Sequence, residues 1–140
     1  MEDAELFARN YKRKLPRQTS QVMFSIGSIY ERQERWFQVI SHYRDYLAKY
    51  GKVGMPHQVI QAHTAIGRAF WELNKKSEAR KSFTAAVGVW RSGAPKRILA
   101  LKKLSKESKA LYLRNALDAA AESQFYLSEY KFADFQKVAF

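Results

Sequence analysis

A chain of 140 residues, 46% hydrophobic, is long enough to bury a core and too apolar to be disordered by composition. The absence of Cys excludes disulfides, thiolate zinc sites and thiol catalysis, and no apolar run approaches bilayer length. Twenty-five Lys and Arg against 13 Asp and Glu leave a net charge of +12, which favours an acidic protein, an anionic membrane surface or nucleic acid as partner, although solubility alone also accounts for it.

In chain order, residues 3–14 carry Ala4, Phe7, Ala8 and Tyr11 on one apolar stripe of a helix. The stretch "LPRQTSQ" breaks that helix at Pro16, and Thr19 or Ser20 is placed to cap the next. Residues 20–33 then hold Met23, Ile26, Gly27 and Tyr30 on a common face. After a polar turn at 33–35, Trp36, Phe37, Val39, Ile40, Tyr43, Tyr46, Leu47 and Tyr50 mark a second helix. "GKVGMP" reads as a loop. Ile60, Ala62, His63, Ile66, Gly67, Phe70 and Leu73 mark a further helix that stops at "NKK", and Ala79, Phe83, Ala86, Val87 and Trp90 another that stops at "SGAP". From Pro95 no strong breaker follows. This predicts one long helix or two abutting ones, with Leu101, Leu104, Leu111 and the Ala116–Ala121 run in the core. No segment alternates as a strand does, so the class is all-α, with about six or seven helices.

Two segments agree when Gly27 is aligned with Gly67. Ile26 then matches Ile66, Tyr30 matches Phe70, Val39 matches Ala79, Tyr43 matches Phe83 and Leu47 matches Val87. A Gly inside a helix costs roughly 1 kcal/mol relative to Ala, so its recurrence needs a reason. Close approach of a large side chain from the paired helix supplies one. This pattern resembles the tetratricopeptide repeat, with aromatic–Leu–Gly–aromatic on a first helix and Ala–aromatic–Ala on a second. The second segment fits through Ile66, Gly67, Phe70, Ala79, Phe83 and Ala86; the first departs at Val39 and Tyr46, which would set its second helix further out. Gly27 and Gly67 lie further apart than the family's roughly 34 residues, and the excess fits in the "YGKVGMPHQ" connection.

The resemblance implies one domain over 1–140, an α-solenoid of antiparallel helical hairpins in a right-handed superhelix. Residues 3–14 would end a preceding unit, 20–50 and 57–91 would be two repeats, and 95–140 a long helix with a partial third repeat. The long connections and "ALDAAAESQFYLSEYKFADF" are also similar to bacterial envelope-associated repeat proteins, including those of deltaproteobacterial gliding-motility machinery. A fragment of such a protein would be periplasmic, and otherwise the chain would be cytoplasmic. The N-terminal "MEDAELFARNYKRKL" has acidic residues where a signal peptide is basic, so any secretion signal is expected outside this chain.

By the same resemblance, the first helix of each repeat lines a groove for a protein or peptide partner. Its residues would be Gln21, Phe24, Ser28, Glu31 and Arg32 in the first unit, and Gln61, Thr64, Arg68, Trp71 and Glu72 in the second. Phe24 and Ser28 stand where the family's clamp for peptide C-termini has Lys and Asn, which disfavours that subtype. Phe24 and Trp71 lie off the core stripe. They are either anchors for a partner or contacts to a neighbouring repeat. Arg68 would steer an acidic sequence toward them.

Lys102, Lys106 and Lys109 are expected on one helix face opposite Leu104 and Leu111, forming a basic surface for an acidic partner or anionic membrane, or a solvated face. Nucleic acid is disfavoured because no binding motif accompanies the charge and Lys outnumbers Arg there. His42, His57 and His63 do not share a ligand spacing, the carboxylates Glu31, Asp45, Glu72, Asp118 and Glu122 occur singly, and no phosphate loop or nucleophile elbow is present. The expectation is a non-catalytic scaffold with no metal and no cofactor. The alternatives are a basic surface for an anionic partner and a purely architectural piece of a longer solenoid.

Overall fold

The computed structural model describes residues 16–139, and the surroundings of side chains over 20–132. Six helices follow in order: α1 (Pro16–Arg32), α2 (Trp36–Tyr50), α3 (Pro56–Glu72), α4 (Lys76–Arg91), α5 (Ala94–Leu99) and α6 (Lys106–Ala139). No strand occurs among the described residues, and the all-α class holds. The helix expected over 3–14 lies outside them. Thr19 and Ser20, expected as caps, instead lie inside α1, where Pro16 occupies a first-turn position that tolerates a missing N–H.

Both glycines do what their recurrence requires. A Cβ on Gly27 would stand 2.5 Å from Cζ of Tyr43, and one on Gly67 would stand 2.5 Å from Cε1 of Phe83. The ring of the following helix therefore rests on bare backbone in both pairs. The two turns also close alike. Glu34 and Asn74 adopt left-handed conformations, with φ of 57° and 58°. Arg35 N–H donates to Tyr30 O at 3.0 Å and Lys75 N–H to Phe70 O at 2.8 Å, while Glu34 and Asn74 donate to Glu31 O and Trp71 O. This is the Schellman arrangement, which satisfies the last carbonyls of α1 and α3. Val39 and Tyr46, which stand where the family has small residues, are fully buried, and Tyr46 Oη donates to Gln58 Oε1 at 3.4 Å.

α3 sits in the middle, packed against α2, α4 and α6. Val59, Ile60, Ala62, Thr64, Ala65, Ile66, Ala69 and Phe70 are all buried, so its apolar surface extends round most of the helix, as burial between several neighbours requires. One core cluster joins α1–α4 through Met23, Tyr43, Tyr46, Ile66, Phe70 and Phe83. A second joins Ile60 and Ala86 to Ile98 of α5 and to Ala116, Ala119 and Ala120 of α6.

Of the two forms expected from Pro95 onward, two helices are found, separated by a connection over 100–105. Gly93, at φ 113°, turns the chain into α5; Lys103, at φ 64°, marks the connection to α6. Ser105 Oγ then accepts the Ser108 N–H at 3.0 Å, an N-cap contact for α6. α6 covers α3 and α4 with small side chains, and the Phe83 and Tyr126 rings stack with centroids 4.4 Å apart. Leu111, expected in the core, is 54% exposed, and Leu101 and Leu104 are half-buried, because the break turns this segment away from the interior.

Candidate functional site

Three helices bring three polar rows together. Phe24, Ser28 and Glu31 stand one above another on α1, Gln61, Thr64 and Arg68 on α3, and Asn115, Asp118 and Glu122 on α6. Between these rows lies a recess of about 250 Å³, with Tyr43, Ala65 and Ala119 behind it. Six of the residues expected from sequence to line a groove therefore meet. The far wall, from α6, was not anticipated.

Arg68 spans the recess. Its Nε and Nη2 donate to Glu31 at 2.7 and 2.9 Å, and its Nη1 reaches both carboxylate oxygens of Glu122 at 2.9 and 2.8 Å. The guanidinium fork thus ties α1, α3 and α6 by charge-assisted bonds in a half-buried setting. Burial by itself would lower the Arg68 pKa; the Glu31 and Glu122 carboxylates outweigh it and raise the value further. Below it, Thr64 Oγ1 is fully buried, 2.9 Å from Ser123 Oγ, and within reach of Ile60 O and Ala119 O. Burial raises the Tyr43 pKa, and burial pushes that of Tyr46 up to about 12. Both phenols stay neutral, and that of Tyr43 lies behind the recess.

The remaining expected residues lie elsewhere. Gln21 borders a different hollow with Tyr50 and Pro56, and Arg32 and Glu72 are exposed outside the recess. Trp71 is covered by α6: its ring meets Tyr126 at 4.9 Å and Tyr130 at 5.6 Å, and Lys76 Nζ sits 3.3 Å over it. It is a packing residue between α3 and α6. Phe24 packs edge-on against Tyr43 and Tyr46 while its outer side borders the recess. The expected single face of Lys102, Lys106 and Lys109 does not form. Lys102 lies in the connection between α5 and α6, Lys106 is the first residue of α6, and Lys109 donates to Leu99 O at 3.0 Å.

His57 is buried and stacks on Tyr112 of α6 at 4.1 Å, with no hydrogen-bond partner for Nδ1 among the described residues. Burial lowers its pKa to about 4 and also lowers that of His63. His42 Nε2 lies 2.6 Å from Met23 O. Among the described residues no group of three or more His, Asp and Glu converges as a metal site, and no helix is long and apolar enough to cross a membrane.

Chemically, the recess offers acceptors. All three nitrogens of the Arg68 guanidinium are engaged by carboxylates. Gln61, Asn115 and the exposed Asp118 remain to meet an incoming group, and Asp118 has no ion pair among the described residues. No family model, curated protein or solved structure matches the chain.

Proposed function

We propose that this chain is a non-catalytic interaction scaffold, built as a short solenoid of tetratricopeptide-like helical hairpins, which holds a segment of a protein partner in the recess between α1, α3 and α6. The observation that carries this reading is the convergence of Phe24, Ser28, Glu31, Gln61, Thr64 and Arg68 on one recess closed by α6. The repeated seat of an aromatic ring on a helical Gly supports the repeat itself. The lining reverses the acidic partner expected from Arg68, because its guanidinium is held by Glu31 and Glu122. Carboxylates outnumber the one bound guanidinium, so the segment presents N–H donors or a Lys or Arg side chain to Asp118, with an apolar contact on Phe24. The association with a bacterial envelope or motility assembly rests on sequence resemblance alone.

A photo-crosslinking amino acid at Gln61, compared with one at the exposed Gln38 on α2, tests the proposal. Adducts from Gln61 should map to one segment bearing Lys or Arg, and Ser28→Trp, which fills the recess, should remove them. Equal adducts from both positions, or adducts that survive Ser28→Trp, would contradict it.

A further inference from the structure

The opposite flank of α6 carries a second groove of different chemistry. α4 presents Arg80, Thr84, Val87, Gly88 and Arg91 along one face, and α6 presents Gln124, Leu127 and Lys131. The groove between them encloses about 350 Å³. Val87 and Leu127 make an apolar floor, Leu127 being packed on the main core. Gly88 leaves that floor open, because a Cβ added there would meet nothing within 4 Å. The rim is cationic. Arg80, Arg91 and Lys131 are exposed, no described carboxylate lines the groove, and none of the three cations is ion-paired among the described residues. Arg80 is held in place with its guanidinium carbon 5.3 Å from the centre of the Tyr130 ring.

We propose that the α4–α6 groove docks an acidic amphipathic helix of a partner protein, distinct from the segment held in the recess between α1, α3 and α6. Two parallel-running side-chain rows with an apolar floor suit the apolar stripe of a helix. Arg80 and Arg91 stand about 16 Å apart along α4 at 1.5 Å per residue, so a helix of three turns reaches both ends of the groove. Its carboxylates meet Arg80, Arg91 and Lys131 at the rim, and its Leu or Met side chains cover Val87 and Leu127. Rim charges set specificity and encounter rate, while the apolar floor supplies affinity. A second copy of this chain is the wrong occupant, since its own charge of +12 opposes it.

The test uses the full chain and three fluorescent probes: a 14-residue designed helix with Leu at i, i+4, i+7 and i+11 and Glu on its flanks, the same helix with Lys for Glu, and a single-stranded oligonucleotide. The Glu helix should bind and the Lys helix should not. Neutralising Arg80, Arg91 and Lys131 together to Ala should weaken the Glu helix about tenfold or more. Gly88→Leu fills open space at a helical position, so it should keep or raise the melting temperature while abolishing binding. Asp118→Asn, in the other recess, should leave binding unchanged. Failure of the Glu helix to bind, binding indifferent to Gly88→Leu, or an oligonucleotide bound as tightly as the Glu helix would each overturn the proposal; the last would make the rim a general polyanion surface.

Discussion

The two flanks of α6 differ in kind. Toward α1 and α3 it offers Asn115, Asp118 and Glu122, and the one cation there, Arg68, is clasped by two carboxylates. Toward α4 it offers Gln124, Leu127 and Lys131, beside Arg80 and Arg91. A chain with a charge of +12 thus places an acceptor-rich recess within a few helix turns of a cationic, apolar-floored groove. Net charge alone is consistent with an anionic partner or with solubility. The distribution of charge about α6 is what distinguishes the two proposed partners.

That contrast depends on α6 lying where it does, so the largest effect comes from loosening it. Phe83→Ala removes the ring that rests on Gly67 and stacks on Tyr126, and should cost about 3–5 kcal/mol in denaturant unfolding while degrading both recesses. Retained binding at either recess in a protein so destabilised would show that α6 is held by other contacts. Arg68→Met breaks one flank only. It leaves Glu31 and Glu122 half-buried without their cation, and should cost on the order of 1–2 kcal/mol, with the α4–α6 groove unaffected. Arg68→Lys should recover only part of that loss, because a single ammonium cannot replace a fork that grips two carboxylates.

Near neutral pH the smallest effect is that of His57, which grows only as pH falls. His57 holds α3 against Tyr112, and burial keeps its folded pKa near 4, below the ordinary value of 6.5. Above pH 6.5 the imidazole is neutral in both folded and unfolded chains and contributes no pH dependence. Between 6.5 and 4 the unfolded chain takes up a proton that the folded chain refuses, so stability falls as pH falls. Urea titrations should show this loss, roughly 3 kcal/mol by pH 4. His57→Phe should flatten the curve, leaving the residual slope that His63, shifted in the same direction, contributes. A curve unchanged by His57→Phe would mean the His57 side chain is solvated in the folded state.

How much of this was legible in the sequence follows from the range of each interaction. Gly27 and Gly67 announced their rings because the helix-period pattern around them was strong and a mid-helix Gly is costly. The rows Phe24–Ser28–Glu31 and Gln61–Thr64–Arg68 came from the repeat resemblance, which also named Gln21, Arg32, Trp71 and Glu72, none of which lines the recess. Glu122 was not named, because its pairing with Arg68 joins residues far apart in sequence, and nothing local marks such a contact. The covering of Trp71 by Tyr126 and Tyr130 was hidden for the same reason. Two helices after Pro95 were one of the two forms expected, but the place of the junction was not marked, because Lys103, not Gly, takes the left-handed conformation there. Lys102, Lys106 and Lys109 were therefore projected onto one helix face, whereas Lys102 precedes α6 and only Lys106 and Lys109 lie on it.

The position of α6 against α3 is the point on which both recesses rest, and it can be read directly. Thr64 Oγ1 and Ser123 Oγ lie 2.9 Å apart, and the chain has no other Cys to interfere with an introduced pair. The double variant Thr64→Cys, Ser123→Cys, refolded under mild oxidation, should lose both free thiols as a monomer, since side chains this close approach disulfide geometry. Two titratable thiols in the folded monomer, or cross-linking only between chains, would contradict the placement of α6 and the recess it closes.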